Sequence, residues 1–124
     1  MRFVCLVHID KQLIGAASPA ELEQFDRDCR DSDAALIASG NYVTALALAE
    51  PDQATLIRRR DGVRTVTDGP YAEAREHIGG FFVIEAPDYA TALALVQDDP
   101  TCRYGTLEIR PELGRDWQKQ QQNR

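Results

Sequence analysis

Residues 54–67 read ATLIRRRDGVRTVT. Asp61-Gly62 separates two short runs of alternating residues, and an Asp-Gly pair supplies the positive φ angles of a tight type I′ turn. The stretch predicts a β-hairpin, with Arg58 and Arg60 on one face and Arg59 on the other. Outward from it, each side reads as a β-α-β unit. Upstream, Arg2 to Asp10 alternates Phe3, Cys5, Val7 and Ile9 against Val4, Leu6 and His8, and apolar residues on both faces predict a central strand. Lys11 to Ala17 reads as a loop around Gly15. Ser18-Pro19-Ala20-Glu21 predicts a helix start, with Ser18 as cap, Pro19 in the first turn and Glu21 completing a capping box. Leu22, Phe25, Cys29, Leu36 and Ile37 form its apolar stripe, and Gly40 ends it. Asn41 to Glu50 reads as a strand broken by Pro51-Asp52.

Downstream, Thr67 to Gly80 reads as a loop and Gly80 to Ala86 (GFFVIEA) as a second strand apolar on both faces. Asp88 caps a second helix with Tyr89, Ala92, Leu93 and Val96 on its buried side, and Pro100 ends it. Tyr104 to Arg110 forms the closing strand, stopped by Pro111. The order β-α-β, hairpin, β-α-β predicts an α+β fold, a ferredoxin-like split β-α-β sheet with an inserted hairpin. Residues 1–111 form the domain and 112–124 a polar tail, with Trp117 its one large apolar group. Two helices cover one sheet face. Val4, Leu6 and one of Phe81 and Phe82 would leave the other sticky, so a second copy is expected to cover it, giving a homodimer with sheets face to face and pockets between them.

The chain has 124 residues, 14 basic and 20 acidic, for a net charge of −6. That length predicts one domain. The acidic balance argues against nucleic acid and against anionic membranes as partners. No run approaches the ~18 apolar residues of a membrane span, and the N-terminus does not read as a signal peptide, so a cytoplasmic protein is expected. Cys5, Cys29 and Cys102 form no CxxC pair and read as thiols in a reducing compartment. No dinucleotide, Walker, nucleophile-elbow or zincin motif is present, so no cofactor is expected. His8 with Asp10 is too sparse for a metal site, which needs three or four ligands.

Several residues are candidates for chemistry. Asp68-Gly69-Pro70 reads first as a turn, with the Asp68 carboxylate bonding backbone amides. Glu73, Glu76 and His77 follow in the same loop beside Gly79-Gly80, and a carboxylate with an imidazole can move protons near neutral pH. His8 stands on an apolar strand face, either as a core group or as a polar group converging on a pocket. Tyr104, Thr106, Glu108 and Arg110 share a strand face, where Arg110 either pairs across strands or anchors an anionic ligand. Asp99 lies at the negative end of a helix, where an unpaired carboxylate gains nothing structurally.

Thr67-Asp68-Gly69-Pro70-Tyr71-Ala72-Glu73, with Glu76, Gly79-Gly80-Phe81-Phe82 and Ile84, resembles the DGPF motif of the YCII-related family. Gly105-Thr106-Leu107-Glu108-Ile109-Arg110-Pro111 resembles that family's closing strand. The resemblance spans Arg2 to Pro111 and implies a dimeric α+β barrel. It also implies binding of a small organic molecule, with lyase-like chemistry in a few relatives and a proposed His–Asp dyad. Asp99-Pro100 matches the family's Asp. Where the family carries its His, this chain reads Ser18-Pro19-Ala20-Glu21-Leu22, and the family's Phe in the motif is Tyr71. The expected function is therefore small-molecule binding with lyase- or isomerase-like acid–base chemistry by Asp99, His8 and His77. Asp68, Tyr71, Glu73, Glu76, Tyr104 and Arg110 are expected to bind the ligand. The alternative is a non-catalytic binding or regulatory module, linked through the resemblance to extracytoplasmic-function sigma factors.

Overall fold

A computed structural model describes residues 1–114. Trp117 of the expected tail lies outside the described residues. Strand β1 (Arg2–Asp10) leads into helix α1 (Lys11–Ala16) and then α2 (Pro19–Ala38) and strand β2 (Tyr42–Ala47). Strands β3 (Thr55–Arg60) and β4 (Val63–Asp68) form the hairpin. Strand β5 (Glu76–Glu85), helix α3 (Tyr89–Val96), a 3₁₀ turn (Pro100–Arg103) and strand β6 (Gly105–Pro111) complete the chain.

The main sheet has strand order β2-β5-β1-β6, with each neighbouring pair antiparallel. The two strands read as apolar on both faces, β1 and β5, are the central pair. This is the expected split β-α-β arrangement. The hairpin is a separate two-stranded sheet. Asp61 (φ 51°) and Gly62 (φ 75°) turn it as a type I′ pair requires.

The core lies on the helix side of the sheet. Phe3 and Cys5 of β1, Ile84 of β5, and Ala92 and Val96 of α3 are buried there, with Leu36 of α2 packed against them. Phe3 also meets Tyr89 edge to face, ring centroids 5.7 Å apart. Burying a side chain such as Phe3 or Ile84 stabilises the fold by roughly 2–3 kcal/mol. Ser18 and Glu21 form the expected capping box, and Asp88 caps α3 by accepting from the Thr91 amide at 2.7 Å. No described helix is long and apolar enough to cross a membrane.

Four expectations need correction. Residues 11–16 are helix α1, not loop, because the Asp10 carboxylate accepts from the Gln12 and Leu13 amides and starts a turn at the end of β1. Glu76 and His77 belong to β5, not to a loop: they pair with Asp10 and Ile9, past an irregularity in the register at Gly79. Tyr104 precedes the closing strand and packs edge to face on Phe25 of α2, 4.8 Å between centroids, so it leaves the face of Glu108 and Arg110. Ile37, on the expected stripe of α2, is 57% exposed, because it lies one residue past Leu36, which takes the core-facing place.

Candidate functional site

Two concavities matter, one on each side of β1 and β5. The first lies between α2 and the sheet, about 240 Å³ in volume, lined among others by Cys29, Asp33, Phe82 and Asp99. Asp99 is not idle at a helix end. It caps the 3₁₀ turn, accepting from the Thr101 amide at 2.9 Å and from the Thr101 hydroxyl. Its charge has neighbours: burial, then Asp99, pushes the Asp33 carboxyl up. Burial followed by Asp99 raises the Cys5 thiol to about 12. For Cys29 the same two causes lead, and the thiol is pushed to about 11.

The second cleft is about 540 Å³. Its floor comes from the ends of β1 and β5, which supply His8, Glu76, His77 and Ile78. Its walls come from the β2–β3 connection (48–54) and from the segment after the hairpin (70–74), and they are mostly apolar: Leu48, Pro51, Ala54, Pro70 and Ala72. Gly69 closes the base of this wall. Its amide donates to the Ala54 carbonyl at 2.7 Å, and a Cβ there would stand 2.6 Å from the Ala54 Cβ, so only glycine fits. The Gly69–Pro70 peptide is cis. Tyr71, 81% exposed, stands at the rim with the Arg58 guanidinium 5.9 Å above its ring.

On the floor, His8 Nε2 lies 2.8 Å from Glu108 Oε1, and Arg110 Nε donates to the other Glu108 oxygen. Hydrogen bonds from Arg110 and then His8 hold the Glu108 carboxyl below the usual carboxylate range. Glu76 accepts from the Thr106 hydroxyl at 3.0 Å. His77 Nδ1 is buried with no hydrogen-bond partner among the described residues. Three basic groups near the cleft are engaged. Arg75 donates to the buried Asp10 at 2.7 Å, Lys11 lies 3.6 Å from Glu50, and Arg110 serves Glu108.

The structure thus brings His8, His77, Glu76 and Tyr71 together, and Glu73 lies in an adjoining recess with Lys11 and His77. It separates Asp99, which lines the other cleft, and Tyr104, which packs on α2. Asp68 is exposed at the end of β4, opposite Thr55, and the turn after it is held by the Gly69 amide. Sequence reasoning missed Glu108 as the partner of His8. The alternation of Thr106, Glu108 and Arg110 was the available signal, but only the β1–β6 register, which pairs Leu6 with Glu108 and His8 with Thr106, brings the two side chains side by side.

Comparison with known proteins gives the following. The family model for the YCII-related domain matches residues 1–113. An uncharacterised protein of Rhizobium meliloti (strain 1021), R00369, is 27% identical over 113 residues, covering 90% of this chain and 91% of that protein. Among solved structures, 5-chloro-2-hydroxyhydroquinone dehydrochlorinase from Burkholderia phenoliruptrix AC1100, in complex with 2,5-dihydroxybenzoquinone, is 14% identical. The match covers 91% of this chain and 94% of that one, with a TM-score of 0.41.

Proposed function

The chain belongs to the YCII-related family, and from that premise we propose that it binds a small organic molecule in the histidine cleft and acts on it by lyase- or isomerase-like proton transfer. One observation carries the reading. A single apolar-walled cleft of about 540 Å³ collects both histidines of the chain with Glu76 and Tyr71. Ligand sites have this character, an apolar enclosure with a few converging polar groups. A second reading, binding without turnover, draws on Asp99, whose carboxylate serves the 3₁₀ turn and faces the other cleft.

We further propose a homodimer. Val4 and Leu6 of β1 and Phe81 and Val83 of β5 point away from the helices and are only half-buried, and Leu46 beside them is 60% exposed. A second copy packed face to face would cover this patch. The protein is proposed to work in the cytoplasm, where its three free thiols stay reduced. Its charge of −6 supports no nucleic-acid role.

The test is a thermal-shift screen of a metabolite library on the intact protein and on Ala72→Trp, which fills the cleft from an exposed position. Compounds that raise the melting temperature of the parent are expected to lose their effect on the variant. A shift that persists in Ala72→Trp places the ligand elsewhere. Light scattering is expected to give twice the chain mass, and a stable monomer refutes the dimer.

A further inference from the structure

Building on the assignment of the ligand to the histidine cleft, we propose that His8 is its general base, acting through Nδ1, with Glu108 and Arg110 as positioning residues. The three groups form a row on one sheet face: Arg110 Nε to one Glu108 oxygen, the other Glu108 oxygen to His8 Nε2 at 2.8 Å. An ionised carboxylate only accepts hydrogen bonds, so the ring must present Nε2–H to it. In the neutral imidazole this leaves the lone pair on Nδ1, the nitrogen Glu108 does not occupy. Arg110 keeps Glu108 charged and fixes its orientation. Near His8 on this face, Glu76 is engaged by the Thr106 hydroxyl, and its strand neighbour Asp10 by Arg75.

This pairing answers which carboxylate serves which histidine. Asp99 cannot orient His8, because it lines the cleft on the opposite side of the sheet and caps Thr101. Glu108 orients it by geometry that any base–orienter pair requires. In the step itself, Nδ1 takes a proton from a substrate carbon or hydroxyl, and the electron pair of the broken bond stays on the substrate. The resulting imidazolium is held by the Glu108 carboxylate. In an isomerisation Nδ1 returns the proton to a second substrate atom. In an elimination the pair forms the new double bond and the leaving group departs with its own pair. Neither needs a co-reactant.

The chain has two histidines, so each is separately visible. Long-range ¹H–¹⁵N spectra of the intact protein are expected to show His8 protonated at Nε2, with a low-field Nε2–H resonance in slow exchange with water. Glu108→Gln is expected to move that resonance upfield and speed its exchange. A proton on Nδ1 in the parent protein overturns the proposal even if the variant does not fold. So does a variant whose resonance position and exchange with water are unchanged. Ligand shifts abolished by Ala72→Trp alongside a wrong tautomer refute the base alone, and the absence of any such ligand effect refutes the reading beneath it.

Discussion

Gly105 opens β6 directly beside the backbone of β1. A methyl group on its Cα would stand 1.8 Å from the His8 carbonyl oxygen and 2.8 Å from the carbonyl carbon. The closest ordinary carbon–oxygen contacts lie at about 3.3 Å, so β6 must retreat by about 1.5 Å. No rotamer relieves this, because the obstacle is backbone, held on its other side by β5. Overpacking a core costs about 1–3 kcal/mol where side chains can give, and here they cannot. Gly105→Ala is therefore expected to lose at least about 3 kcal/mol, which at about 4 °C per kcal/mol lowers the melting temperature by about 12 °C. The matched control is Gly15→Ala. Nothing lies within 4 Å of a Cβ there, and the residue is helical. It is expected to gain up to about 0.5 kcal/mol by restricting the unfolded chain. Both are read by circular-dichroism melting. If Gly105→Ala melts within about 3 °C of the parent, less than 1 kcal/mol on the same conversion, the tight β1–β6 approach is wrong.

Three further outcomes are expected. Ser18→Ala removes the hydroxyl that accepts from the Glu21 amide at 3.1 Å and is expected to cost about 1 kcal/mol in urea denaturation. Iodoacetamide at neutral pH is expected to label exposed Cys102 well before Cys5 and Cys29, whose thiols sit at about 12 and about 11; equal labelling in peptide mass spectra contradicts that burial. Acid is expected to unfold the protein partly through Asp10. Burial raises that carboxyl, but bonds from Leu13, Gln12 and Arg75 outweigh it and leave the value below the ordinary 3.8. Its contribution is present above pH 3.8 and is lost as pH falls from there through the depressed folded value. Asp10→Asn should therefore flatten the melting curve against pH in that acid range, and an unchanged slope removes Asp10 from the account.

The order of strands was legible because its signals are local: a doubly apolar β1 and β5, an Asp-Gly turn, and a Ser18–Glu21 capping box. Helix α1 was not, because its start depends on the Asp10 side chain folding back from the end of a strand, and Gly15 weighed towards a loop. The site was half legible. His8, Glu76, His77 and Tyr71 were singled out by type and do share one cleft. Which carboxylate met which ring was hidden, since that depends on a β1–β6 register spanning a hundred residues. The partner of Asp99 was hidden for a related reason. Read against the helix before it, the carboxylate has no partner, but its partner lies in the turn that follows.

The hairpin shares no ladder with the four-stranded sheet. Its tip, Asp61-Gly62, is exposed, and its chain ends return to the cleft wall at Ala54 and Gly69. Length added at that tip does not shift the register of any strand that carries the histidines. Closing a longer loop costs only about 0.6 kcal/mol per doubling. The tip is thus a natural attachment point for a peptide tag or a fluorescent reporter that leaves the strands carrying the histidines untouched.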